Sequence, residues 1–254
     1  MIFKRIKSII DGNSLDVIKL KVKRRFSYKN LNIIKNNSKI PIIINNRDRL
    51  YHLKKLLDYL DSKNYNDILI IDNQSTYLPL LEFYKKTNYK IYRLQKNLGY
   101  LSLWKTDLFN KFKNDYYVYT DPDILPTSEC PDDFLDYFKD CLLKNKDIEK
   151  VGFGLKIDDL PENDNKKKII SFEKKFWKNK IGKNFFSAPI DTTFALYRPY
   201  SFGGYWLNSL RSDKPYLARH LTWYDDKDPN EDFFYNKNLN RNSSFYSNNR
   251  FLNY

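Results

Sequence analysis

Residues 116–123 read Tyr116-Tyr117-Val118-Tyr119-Thr120-Asp121-Pro122-Asp123, an aromatic and β-branched run that fits a buried strand and ends on two carboxylates. Acids at i and i+2 just past a strand can face one ion, and Pro122 restricts the turn between them. Mg²⁺ and Mn²⁺ suit such oxygen ligands, commonly bridging one or two carboxylates to phosphate. The plain alternative is a pair that caps a turn. An Asp-x-Asp match alone says little in a chain with 31 acidic residues, and Asp226-Lys227-Asp228 is another. The 121–123 copy differs in following a strand at the rim where ligands are expected.

Toward the N-terminus, Ile40-Pro41-Ile42-Ile43-Ile44 reads as a strand buried on both faces, followed by the polar turn Asn45-Asn46-Arg47. From Asp48, leucines at 50, 53, 56, 57 and 60 keep a helical period as far as Asp61-Ser62. The unit repeats: a strand over 67–72, the turn Asn73-Gln74-Ser75-Thr76, a helix over 79–87, a strand over 90–94 and a helix over 101–112. Such alternation predicts an α/β fold, Rossmann-like, with a mostly parallel central sheet and helices on both faces. Ligands of such sheets bind beyond the carboxyl ends of the strands. Asn45, Arg47, Asp72 and Asp121 then share one rim. The second half is less regular: a helix over 131–145, strands over 151–157 and 190–197, a charged loop over 161–168 and a short helix over 231–237.

Composition narrows the partners. A formal net charge of +14 draws phosphate-bearing partners of any kind. Much of the excess lies in residues 1–38, which reads either as a solvated arm or as peripheral contact with an anionic membrane. Cys130 and Cys141 are the only cysteines, so no disulfide framework or paired metal motif exists, and a cytoplasmic location is expected. No apolar run approaches the ~20 residues of a membrane span, and the opening MIFKRIKSII has too short an apolar core for a secretory signal.

The segments Pro41-Ile42-Ile43-Ile44-Asn45-Asn46-Arg47, Ile70-Ile71-Asp72-Asn73-Gln74-Ser75-Thr76, Asn97-Leu98-Gly99 and Thr120-Asp121-Pro122-Asp123 resemble, in order and spacing, the nucleotide-binding half of family 2 type GT-A glycosyltransferases. Pieces at Val151-Gly152-Phe153-Gly154, at residues 191–197 and at residues 219–224 look like a bacterial surface-polysaccharide subgroup. The resemblance implies a GT-A nucleotide-diphospho-sugar transferase domain over 39–254, with a nucleotide-binding half over 39–125 and an acceptor side over 126–254. It further implies a metal-dependent sugar transferase, hexosyl or related, taking a nucleotide-sugar donor, with UDP-sugars favoured, to a glycan or lipid-linked acceptor.

Carried across residue by residue, the resemblance puts Asn45 and Arg47 at the nucleotide edge and Asp72 on the base. Asn97 and Gly99 would lie under the sugar and phosphates, Asp121 near the ribose or sugar and at the metal site, and Asp123 directly on Mn²⁺ or Mg²⁺. His220 resembles a late histidine that completes the metal site, and Arg219 could hold a phosphate oxygen. An inverting route needs a carboxylate base, for which Asp191 is the candidate and Glu231 and Asp232 the runners-up. Each has a structural alternative: turn-forming for Asp72, a bond to its own loop for Asn97, a strand-start cap for Asp191, a structural loop histidine for His220, helix N-terminal acids for Glu231 and Asp232. His52, on the first helix, reads as structural or exposed.

Rival readings fit less well. A phosphatase with an Asp nucleophile opens its first strand with Asp-x-Asp, and a Rossmann oxidoreductase needs a glycine-rich turn where Asn45-Asn46-Arg47-Asp48 stands. A non-catalytic protein binding nucleic acid or an anionic surface is the remaining alternative. No nucleic-acid module is visible, so no such partner is expected.

Overall fold

The computed structural model describes residues 39–204 and 208–238; the basic extension over 1–38 and the tail from 239 lie outside them. The apolar runs become β1 (Ile42–Asn46), β2 (Ile68–Asp72), β3 (Lys90–Arg93) and β4 (Tyr117–Thr120), all mutually parallel and ordered β3-β2-β1-β4. Next in the same sheet come β10 (Ala195–Tyr197), β6 (Lys150–Gly152), β11 (Ser209–Ser212), β9 (Phe185–Ser187) and β8 (Lys180–Ile181). Within the nine strands β10 and β9 run against the rest, so the expected mostly parallel α/β sheet is present. A second sheet joins β5 (Ile124–Pro126), β12 (Leu217–His220) and β7 (Gly154–Leu155).

Strand alternation sorts the core into two layers. Ile42, Ile44, Ile68 and Ile70 face the helices α1 (Tyr51–Ser62), α2 (Leu78–Lys86) and α3 (Phe134–Lys144), whose Leu53, Leu56, Leu57, Leu80, Phe134 and Phe138 join one cluster. Ile169 of α4 (Lys166–Glu173) belongs to that layer too. Ile43, Ile71, Tyr117 and Tyr119 face the opposite way, onto Leu103, Leu108 and Phe109.

That opposite face carries the first departure from expectation. The helix expected over 101–112 is a series of 3₁₀ turns, Gly99–Leu101, Leu103–Lys105 and Asp107–Lys111. Thr106 is extended (φ −126°, ψ 162°), and its hydroxyl bonds the carbonyls of Ser102 and Leu103, which competes with helix propagation. The strand expected over 151–157 splits between the two sheets at Phe153. Added Cβ atoms would come within 2.5 Å of the Phe194 carbonyl at Gly152 and 2.3 Å of the Ser212 carbonyl at Gly154, so only glycine permits the crossing. The strand expected over 190–197 forms only from Ala195, and β11 and β12 replace expected loops.

Helix α5 (Pro229–Lys237) is clipped to α1. Asp228 accepts from the N–H groups of Asn230 and Glu231 at the α5 start, while Glu231 Oε2 accepts from Leu50 and Tyr51 N–H at 2.6 and 2.8 Å. A side chain from α5 thus caps α1, which has no cap of its own. Asp226, the chance motif's first acid, pairs with Lys55 at 2.6 Å and accepts from the Tyr51 hydroxyl. His52 is buried, with Nε2 2.6 Å from the Asp226 carbonyl, so it is structural. Replacing Glu231 by Ala leaves two helix N–H groups without acceptors and is expected to cost about 1–3 kcal/mol in urea unfolding. Glu231→Gln, which keeps an acceptor oxygen, is expected to recover most of that loss.

Candidate functional site

The site forms where both sheets end. Parallel pairing of Ile44 with Thr120 brings the next residues, Asn45 and Asp121, side by side beyond the strand ends. Asp121 is gripped from the other side by Thr192, whose hydroxyl donates to Oδ2 and whose carbonyl accepts the Asp121 N–H at 3.1 Å. Burial pushes the Asp121 carboxyl well above its ordinary range, and the charges of Asp123 and Asp191 push it further. The Thr192 and Asn45 side chains oppose that shift by bonding the carboxylate. Asn45 is itself fixed, its Oδ1 accepting from the Ser102 hydroxyl at 2.7 Å.

The small sheet brings in the histidine. Antiparallel pairing sets Ile124 opposite His220, and Leu221 N–H donates to the Asp123 carbonyl at 2.8 Å. His220 therefore ends β12, with Nε2 3.8 Å from Asp123 Oδ2. Its ring stacks on Trp223 at 4.8 Å, and Nδ1 lies 2.5 Å from the Thr222 hydroxyl. Burial lowers the imidazole pKa, with Asp123 opposing. In the tautomer that donates Nδ1–H to Thr222, Nε2 turns a lone pair toward Asp123.

These residues fit a hard dication. Asp123 Oδ1 is buried with no hydrogen-bond partner among the described residues, the state of an acceptor shaped for a ligand. Ligand bonds of about 2.0–2.1 Å can span the separation between Nε2 and Oδ2. Among the described residues no group of three or more His, Cys, Asp or Glu could hold a metal, so a dication at Asp123 and His220 would need phosphate or water as further ligands.

Asp191 stands beside the acids, solvent-accessible on the segment leading into β10. Crowding by surrounding protein raises its carboxyl, while Lys150 and Arg211 pull the other way. Lys150 itself is fully buried, its ammonium donating to the carbonyls of Ile190 at 2.6 Å and Gly204 at 3.0 Å and lying 3.3 Å from the Tyr197 hydroxyl. It ties the Asp191 segment to the loop before β11. Burial drags its pKa down to about 7.

The other expected site residues are less free. Asp72 is buried, with Oδ1 accepting from Ser75 N–H at 3.0 Å and Oδ2 from Arg93 at 2.8 Å, which is the turn-forming role. Asn97 Oδ1 accepts the Gly99 N–H at 2.8 Å, the bond to its own loop. Gly99 has φ +75°, a conformation that favours glycine, and its carbonyl accepts from Asn73 at 3.0 Å. Arg47 reaches the Asn238 carbonyl at 3.1 Å. Arg219 is not brought to the acids: neighbours on a strand point to opposite faces, and it pairs with Asp159 and lies over Tyr224. Asp232 pairs with Arg49 at 3.2 Å, so both runner-up bases are structural acids.

Thr192, Ser102, Lys150 and Thr222 escaped the sequence reading. Their partners lie far along the chain, apart from the Thr222–His220 contact, where the spacing of two was a usable signal.

No protein-family model and no curated protein matches this chain. Among solved structures it is similar to S. aureus TarS 1–349 over 64% of its own length and 47% of that chain, at 15% identity and a TM-score of 0.39. The chain thus spans about half the length of that structure. A cytidylyltransferase from Leptospira borgpetersenii serovar Hardjo-bovis is similar over 56% of this chain and 74% of its own, at 16% identity and a TM-score of 0.34.

The buried lysine has a measurable signature. Unfolded, its amine holds a proton up to about pH 10.5; folded, it releases it near pH 7. Across that window the unfolded state binds more protons, so this group makes stability rise with pH. Lys150→Met is expected to flatten the slope of unfolding free energy against pH there. Equal slopes in both proteins would mean that the amine titrates in contact with water.

Proposed function

We propose that this chain is a metal-dependent glycosyltransferase that moves a sugar from a nucleoside-diphosphate sugar, UDP-sugars favoured, to a glycan or lipid-linked acceptor by an inverting route. Surface-polysaccharide or glycoconjugate synthesis is the corresponding role. The observation that carries the reading is the Asp123–His220 pair, with a buried carboxylate oxygen that has no partner among the described residues, beyond the carboxyl end of β4. Two free, buried thiols at Cys130 and Cys141 fit a reducing, cytoplasmic compartment. Among the described residues no helix is long and apolar enough to cross a membrane.

In this reading Asp123 and His220 hold Mn²⁺ or Mg²⁺, which when bound neutralises charge on the donor diphosphate. Asp121, fixed by Thr192 and Asn45, orients a donor hydroxyl. Asp191 accepts the proton of the acceptor hydroxyl as its oxygen forms a bond to the anomeric carbon, while the bond from that carbon to the diphosphate oxygen breaks. A carboxyl raised by its surroundings is a stronger base than an ordinary aspartate, at the cost of needing higher pH to ionise. The acid limb of the rate profile is therefore expected above the usual carboxylate range.

Thermal melts with nucleotide sugars, with and without Mn²⁺, test the reading. Donor plus metal is expected to raise the melting temperature, and Asp123→Ala and His220→Asn to abolish the metal-dependent part. Asp191→Asn is expected to keep the donor shift and lose about 10²–10⁴-fold in transfer rate. A donor shift indifferent to both metal and Asp123→Ala would sink the proposal.

A further inference from the structure

Residues 166–183 carry eight lysines and a single acid, Glu173. That acid is buried and spent internally on Arg211 at 2.8 Å, so it does not offset the outer charge. Lys167, Lys168, Lys174, Lys175, Lys178, Lys180 and Lys183 are exposed. Among the described residues Lys167, Lys168, Lys174, Lys178 and Lys183 have no acidic partner, whereas Lys166 pairs with Glu162 and Lys180 with Asp213. The segment forms one lobe: α4, the 3₁₀ turn Lys174–Trp177 and the β8–β9 hairpin, joined by the edge-on contact of Trp177 with Phe186 at 5.1 Å. At the hairpin tip, next to Gly182 and Lys183, Ile181 is 45% exposed.

The lobe ends the large sheet at β8, and lysines on an edge strand can simply discourage strand addition. That accounts for Lys180, but not for Lys167 and Lys168 on α4, Lys174 and Lys175 on the turn, and Lys178 just after it. We propose that this lobe is a docking face for an anionic lipid bilayer, with the lysines over the headgroups and Ile181 in the interfacial layer. Positive charge around a protruding aliphatic side chain matches the negative, then apolar, profile of such a surface. Arg211 links the lobe to the site, bonding Glu173 of α4 and, through Nε at 2.9 Å, the Pro189 carbonyl two residues before Asp191. Docking at a bilayer would favour a lipid-linked acceptor; that clause alone rests on the proposed function.

Co-sedimentation of the full chain with vesicles tests docking without any activity. With phosphatidylcholine vesicles containing about one third phosphatidylglycerol, binding is expected at about 0.1 M salt and strong weakening at about 0.5 M. One lysine near such a surface is worth about fivefold in partitioning. Replacing Lys167, Lys174, Lys175, Lys178 and Lys183 together by Gln is expected to weaken binding at least tenfold, and Ile181→Ser alone measurably. All six side chains are exposed, and an unchanged melting temperature confirms the fold. The comparison variant replaces Lys19, Lys21, Lys23, Arg24 and Arg25 by Gln, removing equal charge from the N-terminal segment. Loss in that variant with none in the lobe variant overturns the proposal. So does vesicle binding that ignores Ile181→Ser while soluble polyphosphate competes fully, which would make the lobe a polyanion site.

Discussion

Pairing of β5 with β12 sets Ile124 opposite His220, and on that register the arrangement of the candidate site depends. Side chains alternate along a strand, so a slip of one residue would turn Arg219 toward Asp123 and His220 toward Asp159. Three backbone contacts hold the register. Thr127 N–H donates to the Leu217 carbonyl, Leu221 N–H to the Asp123 carbonyl, and β7 pairs along the other edge of β12. The large sheet delivers Asn45 and Asp121 by the β1–β4 pairing, and the small sheet delivers the histidine. Neither sheet alone makes the site.

Electrostatics give that meeting point its character. Asp121, Asp123 and Asp191 are close enough that the last two raise the carboxyl of the first, in a chain that is strongly basic as a whole. The buried cations beneath, Lys150 and Arg211, are each committed: Lys150 to carbonyls, Arg211 to Glu173 and the Pro189 carbonyl. A rim of carboxylates repels a diphosphate unless a cation stands between them. Under the proposed function, metal and donor would therefore bind together.

The first half of the fold was legible because buried parallel strands leave unbroken apolar runs and α1 repeats its leucines at helical spacing. The second half was not, because its strands are two to four residues long and shared between two sheets. Residue 153 illustrates the loss: a continuous VGFGLKI run reads as one strand, yet glycines on either side let the chain pass from one sheet to the other. Within the site, Asp121, Asp123 and Asp191 were legible near strand ends, and His220 only as a residue type, since a loop was expected where β12 forms. The face each would take was not, and adjacency in sequence made Arg219 look like a partner of His220. Lys150 gave no local sign at all, since its acceptors lie at Ile190 and Gly204.

Asp191 and Asp121 are coupled by backbone as well as by charge. Thr192 accepts the Asp121 N–H with its carbonyl and donates to the Asp121 carboxylate with its hydroxyl, so a shift of the β4 turn must move the residue next to Asp191. From beneath, Lys150 holds the Ile190 carbonyl on the other side of Asp191. Both flanking peptides are thus fixed by buried contacts, and the surroundings of Asp191 raise its carboxyl. A proton acceptor works best when its backbone cannot drift, and besides the Thr192 N–H no side chain bonds the Asp191 carboxylate among the described residues. Asp72, Glu231 and Asp232, whose carboxylates are committed to turn, cap and ion pair, lack that combination.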